Sequence, residues 1–163
     1  MRRVDLALVA AGVALGAVAE WAALQPGALG AAAPSAHALA VGDFVAGLSL
    51  VVGGVACRAC SPGRRIGLLL AAAGYAWFLG TFSGSGLDLA ADVGAVFVTL
   101  HRGLLAHALV SYPRGTLPRR SERVLVALLY VWAAVPDLGS SPWLTIAAVS
   151  VLVLGLARAF RRA

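Results

Sequence analysis

The sequence has no lysine and no asparagine, a single methionine and two cysteines. Charge is scarce as well: 12% of its 163 residues are charged, where soluble domains carry about a quarter. Long polar segments are absent, while 61% of the residues are hydrophobic and mean hydropathy is +0.90. A domain of this size buries only about two-thirds of the surface its unfolded chain exposes. That much apolar surface cannot be hidden from water, which excludes a water-soluble enzyme, and a disordered chain is excluded by the same excess. Two cysteines leave no second pair for a closed four-ligand zinc site. What remains is a net charge of +6 in which all 13 positive residues are arginine. Their positions carry the information.

Apolar runs recur at regular intervals and predict an all-α, polytopic membrane bundle. Six spans are expected, at residues 4–24, 38–56, 66–82, 93–110, 124–138 and 143–157. A spanning helix needs about 20 apolar residues, which the first four runs approach and the last two do not. The seven prolines lie in the breaks or at their edges, as helices require. The whole chain, 1–163, is expected to be one transmembrane domain with no soluble domain. The start of the chain has the basic residues and apolar stretch of a signal peptide. That stretch exceeds the usual length of about 7 to 15 residues, and Glu20 and Trp21 spoil a cleavage region. An uncleaved first span is the expectation.

Arginine placement predicts orientation. Arg2 and Arg3 precede the first span, and Arg58, Arg64 and Arg65 follow the second. Arg114, Arg119, Arg120 and Arg123 separate the fourth from the fifth, and Arg158, Arg161 and Arg162 close the chain. The opposite segments carry Glu20, Asp88, Asp92 and Asp137. Both termini are therefore expected in the cytoplasm of a multi-pass cell-membrane protein. Trp21, Trp77, Trp132 and Trp143 are expected in an outer aromatic belt, with Tyr112 at the inner boundary. The basic residues Arg58, Arg64, Arg65, Arg119, Arg120 and Arg123 suit anionic lipid of the inner leaflet. They flank spans, so lipid is a simpler partner than nucleic acid.

Within the spans, Arg102 stands out. An ionisable residue at that depth costs about 2.5–3.5 kcal/mol on the insertion scale and faces the bundle interior by default. Counting along ideal helices, Asp43 lies about 20 Å above the inner boundary and Arg102 about 16 Å. Asp43 is the expected partner of Arg102, and Glu20 the competing one; the alternative is an arginine that snorkels outward alone. His101 and His107 are six apart and so fall on different helix faces, which argues against a shared metal. Each is expected in a polar interhelical contact, with a proton-responsive role for His101 as the sharper alternative. Cys57 and Cys60 form a C-x-x-C, expected as two reduced thiols at a helix end.

Two G-x-x-x-G patterns, Gly12/Gly16 and Gly80/Gly84, are expected to pack helices within the bundle. A faint repeat is present too: Arg64-Arg65 precedes Tyr75-Ala76-Trp77 at the offset at which Arg119-Arg120 precedes Tyr130-Val131-Trp132. A duplicated hairpin would explain it; topological anchoring explains it too and is the preferred expectation. There is no phosphate-cradling glycine loop after a strand, no paired carboxylates in a polar segment and no Ser-His-Asp set. Neither an enzyme nor a cofactor is expected.

Several phrases carry a family resemblance. Asp43-Phe44 with Gly47 heads a span and is followed by a basic turn. Then come RIGLLLAAAGYAWFLGTF from Arg65 and LHRGLLAHALVSYPRGTLPRR from Leu100. This stretch, over half the chain, resembles the N-terminal membrane region of actinobacterial sensor histidine kinases. The resemblance places Asp43, His101, Arg102, Gly103, His107, Tyr112, Pro113 and Gly115 at recurring positions. It implies a two-component signal-input module, with a homodimer, kinase or response regulator as partner. In that family a phosphoacceptor dimerisation helix and an ATP-binding domain follow. The sequence ends at Ala163 without either, so kinase activity is not carried over, and a truncated piece or a stand-alone relative is expected. The alternative is a small transporter or channel subunit built around Asp43, Arg102 and His101.

Overall fold

The computed structural model describes residues 3–28, 34–59, 64–112 and 115–135, with scattered positions between 142 and 150. Among these it is all-helical: α1 Arg3–Ala23, α2 Ala36–Ala59, α3 Arg64–Thr81, a 3-10 turn Phe82–Gly84, α4 Asp88–Phe97, α5 Leu100–Ser111 and α6 Arg120–Ala134. Four helical stretches are long and apolar enough to cross a membrane: Arg3–Ala23, Ala36–Ala59, Arg64–Gly84 and Asp88–Ser111.

The helix ends follow from the next residues in the chain. Tyr112 takes ψ 143° and Val135 takes ψ 110°. Each precedes a proline, whose ring excludes the helical conformation from the residue before it. After α5 the chain turns on Gly115, whose φ of +66° lets its N–H donate to the Ser111 carbonyl at 2.7 Å. At the start of α6, the Glu122 carboxylate accepts from the Arg119 backbone N–H at 3.2 Å, which satisfies one of the donors left free at a helix start.

The fourth span departs from the expected 93–110. It begins at Asp88, so much of the expected turn 83–92 is helical, and it is interrupted at Val98–Thr99. The buried Thr99 hydroxyl donates to the Ala133 carbonyl on α6 rather than to its own helix. The expected fifth span, 124–138, corresponds to α6, whose 15 residues reach only about 22 Å at 1.5 Å each. Of the sixth, 143–157, only scattered residues are described.

Packing depends on glycine. Phe78 of α3 is fully buried, together with Ala19 and Val51. A Cβ at Gly16 would lie 2.7 Å from the Phe78 ring, and one at Gly47 would lie 2.5 Å from it. The two glycines thus form a notch that admits the ring between α1 and α2, with Phe44 at 6.0 Å between centroids. Gly12 faces Val51, and Gly80 faces the backbone of Val98. For Gly12, Gly16 and Gly80 these contacts agree with the expectation that the glycines pack helices of this chain together.

The contact of α2 with α3 is closer still. A Cβ on Gly54 would lie 2.4 Å from the Ala71 nitrogen, and one on Gly67 would lie 2.4 Å from the Gly54 carbonyl oxygen. One on Gly74 would meet the Gly47 carbonyl at 2.8 Å. Gly47 and Gly54, like Gly67 and Gly74, are seven apart, about two helical turns, so each pair lies on one face.

Large apolar side chains face outward instead. Leu39 is 63% exposed, Val41 64% and Leu128 61%. An apolar outer face is costly in water and suited to lipid.

Candidate functional site

Among the described residues, the arginines other than Arg102 lie at or beyond helix ends. Arg58 Nη2 lies 2.8 Å from Asp5 Oδ1, joining the start of α1 to the end of α2. Arg64 and Arg65 open α3 there, and Gly115 packs against the Arg65 side chain. Arg64, Arg65, Arg119, Arg120 and Arg123 are exposed. Arg123 also donates to the Leu117 and Pro118 carbonyls, which fixes the turn before α6. Arg58 is different. Its side chain is 21% exposed and that of Asp5 6%, so it serves an interhelical ion pair more than a headgroup. Arg2, Arg114, Arg158, Arg161 and Arg162, with Asp137, lie outside the described residues, as does Cys60. Cys57 is an exposed free thiol.

The intramembrane polar residues do not form one cluster. Glu20, on α1, is buried and its Oε1 has no hydrogen-bond partner, whereas Asp43 of α2 is exposed. His101 packs edge-on against Trp77 of α3, with ring centroids 4.7 Å apart. The guanidinium of Arg102 lies 5.9 Å from the centre of the Trp132 ring on α6. His107 Nδ1 is 3.2 Å from the Tyr130 hydroxyl. The two histidines therefore serve different faces, as their six-residue spacing predicts.

The expected pairing of Asp43 with Arg102 is not formed. Among the described residues the ion pairs are Arg58–Asp5 and Arg119–Glu122. Similar depth is necessary for an ion pair but not sufficient. α2 packs on α1 and α3, whereas α5 packs on α3, α4 and α6. Helix α3 thus stands between the carboxylate and the guanidinium.

Two tryptophans also leave the belt assigned to them. Trp21 is 61% exposed and Trp143 79%, which suits an interface. Trp77 and Trp132 are partly buried and turn inward to consecutive residues of α5. The repeated motif is therefore more than topological anchoring. Its two copies, on α3 and α6, flank α5, and each presents its Trp to the His101-Arg102 step. The paired tyrosines diverge: the Tyr130 hydroxyl meets His107, whereas the Tyr75 hydroxyl donates to the Leu8 carbonyl at 2.5 Å.

Sequence reasoning missed Thr99, Tyr130 and Asp5 as functional contacts. An acid in the first turn of an apolar helix, with an arginine closing the next antiparallel helix, was the available signal for Asp5. Nothing in the sequence marked the break at Thr99, because its cause is a carbonyl on α6.

The His107–Tyr130 contact gives a first prediction. Tyr130→Phe is expected to lower stability by about 0.6–1.5 kcal/mol, the range of such bonds in membranes and in water. Unfolding in mild-detergent micelles measures it. Adding His107→Phe should cost little more, and full additivity of the two losses would deny the coupling.

Around the break, buried polar atoms are left unsatisfied. His101 Nδ1 and Trp132 Nε1 have no hydrogen-bond partner. Among the described residues no group of three or more His, Cys, Asp or Glu side chains could hold a metal ion. The site thus consists of paired side-chain contacts between helices, concentrated where the fourth span is interrupted. No family model, no curated protein and no solved structure matches the chain.

Proposed function

We propose that the chain is an integral membrane protein of the cell membrane, with its arginine-rich end in the cytoplasm, acting as a membrane-embedded signal-input module. One observation carries this reading. The fourth span is broken at Val98–Thr99, and the residues beside the break hold two neighbouring helices, α3 and α6. Thr99 holds α6 through Ala133, His101 meets α3 through Trp77, and Arg102 meets α6 through Trp132. A helix interrupted within the apolar layer can tilt its two halves separately, and its contacts then transmit the tilt. Gly103 supports the same junction, since a Cβ there would lie 2.9 Å from the Tyr130 ring. His101, Arg102, Gly103 and His107 are recurring positions of the resemblance to sensor-kinase membrane regions. A kinase or response regulator is the partner this reading implies, with anionic lipid at the arginine-rich end.

Reconstitution tests it. Purified protein in vesicles of graded acyl-chain length should change its tryptophan emission with bilayer thickness. Arg102→Ala removes a contact of about 0.5–2 kcal/mol and is expected to lose most of that response. Emission that ignores thickness in the unmodified protein would count against a packing-responsive module.

A second reading is favoured by the same break. Discontinuous membrane helices often line substrate sites, and the unpartnered His101 Nδ1 lies beside this one. A small transporter or channel subunit would show solute flux in those vesicles, lost in Arg102→Ala, whereas the signal-input reading expects none.

A further inference from the structure

We propose that the starts of α3 and α6 form a binding site for one lipid whose headgroup carries two phosphates. The proposal rests on the membrane placement and orientation above, and it narrows a general contact with anionic lipid to a site with two walls. Helix α5 packs against both α3 and α6. At about 8–10 Å per helix contact, the α3 and α6 axes stand no more than about 20 Å apart. Past the end of α5 the chain crosses onto the start of α3. A Cβ on Gly115 would lie 2.6 Å from the Arg65 Cβ and 3.3 Å from the Ile66 nitrogen. From there the chain leads directly to Arg120, and Arg123 fixes the intervening turn through the Leu117 and Pro118 carbonyls.

The arginines here divide by what they already hold. Arg58 is committed to Asp5 at 2.8 Å, and Arg123 is committed to the turn. Arg64, Arg65 and Arg120 are exposed and pair with no carboxylate among the described residues. The acids of these helix ends are occupied, Asp5 by Arg58 and Glu122 by the Arg119 N–H. The guanidinium groups on the two helix starts therefore call for anions from outside the described chain.

The neighbouring residues identify the occupant. Leu68, one turn after Arg64, is 47% exposed, and Val124, one turn after Arg120, is 52% exposed. Residues four apart share a helix face, so each helix start sets a cation above an exposed apolar side chain. On α6 that apolar strip continues to Leu128. A free phosphate would use the cations alone. A lipid uses both, with phosphate on guanidinium and acyl chain on the strip below. A phosphate engages a guanidinium through two parallel hydrogen bonds, and one phosphate cannot serve both walls. Two phosphates joined through a glycerol can. Binding is ionic and apolar, with no covalent step.

The test is native mass spectrometry of the full chain released from micelles that contain a defined lipid, after vesicles have been shown to retain it through alkaline extraction. Loss of the protein on extraction would overturn the membrane placement and this site with it. One diphosphatidylglycerol per chain should be retained, about tenfold more tightly than phosphatidylglycerol supplied at equal phosphate. Arg64→Gln and Arg120→Gln should each remove most of that preference while circular dichroism shows the helices intact. Arg3→Gln removes the same charge from the exposed start of α1 and should change retention by less than about twofold. Equal retention of the two lipids would overturn the two-phosphate site and leave a general contact with anionic lipid standing. Equal weakening by Arg3→Gln would overturn it in favour of net charge alone. Displacement of the lipid by inorganic phosphate or pyrophosphate would overturn it in favour of a soluble anion.

Discussion

Gly67→Ala is expected to cost about 3 kcal/mol, the upper end of overpacking penalties. The added methyl carbon would sit 2.4 Å from the Arg58 nitrogen and 2.4 Å from the Gly54 carbonyl oxygen. Both are backbone atoms of α2, so no side chain can rotate away. The helices must separate, and the neighbouring close approaches at Gly54 and Gly74 loosen with them. Arg58 moves as well, because its backbone is what the new methyl meets. Alanine's better helix propensity returns only about 0.5–1 kcal/mol. Gly53→Ala is the matched control. A Cβ there meets nothing within 4 Å, so this variant should be neutral or slightly stabilised. Denaturation midpoints in mild-detergent micelles separate the two, and equal midpoints would show that the α2–α3 contact is looser than described.

Arg58→Ala is the second large effect, expected at about 3 kcal/mol, the lower end for breaking a buried ion pair. Truncation leaves the Asp5 carboxylate, 4% exposed, without the guanidinium that lay 2.8 Å away. The lower end applies because the pair sits near the end of the bundle, where Arg58 is 21% exposed and water can approach. Asp5→Asn should cost less, since an arginine at that height can turn toward headgroups. Replacing both residues by apolar ones of similar volume should restore much of the loss. A stability ranking in micelles, with Arg58→Ala lowest, checks the order. If Arg58→Ala were neutral while vesicle association fell, Arg58 would serve a lipid headgroup rather than Asp5.

Much of the fold was legible because one physical term dominates it. Helices α1, α2 and α3 fall within about three residues of the apolar runs that predict them. In the fourth run, periodicity gave the span but not its start or its break. Asp88 and Asp92 marked a turn in the sequence, yet Gly94 lets this stretch pack against the Ser83 backbone as helix. The glycines that matter most, Gly47, Gly54, Gly67 and Gly74, escaped a search for four-residue spacing. Their seven-residue spacing in two neighbouring runs was the signal to seek.

The polar residues were legible singly and not as pairs. Depth can be counted along a helix, and that count puts Asp43 and Arg102 at similar expected heights. Azimuth around a bundle cannot be counted, because it depends on which helix stands between which. With α3 interposed, Asp43 stays on the α1 side of the bundle, and Arg102 meets a tryptophan on α6. The repeated Tyr-x-Trp was visible as a pattern, but its convergence on His101-Arg102 required the placement of α3 and α6 on either side of α5.

By itself, then, the sequence determined that this protein is helical and has four segments long and apolar enough to span a membrane. It also determined that positive charge gathers between them at one end. Those properties are sums over many residues, and hydropathy, proline placement and arginine counts add along the chain. Tertiary structure alone decided the contacts of Asp5 with Arg58, Thr99 with Ala133, His107 with Tyr130 and Arg102 with Trp132. Each of those contacts is a single distance between residues of different helices. It is set by how closely glycine lets the helix backbones approach and by which helix fills the space between.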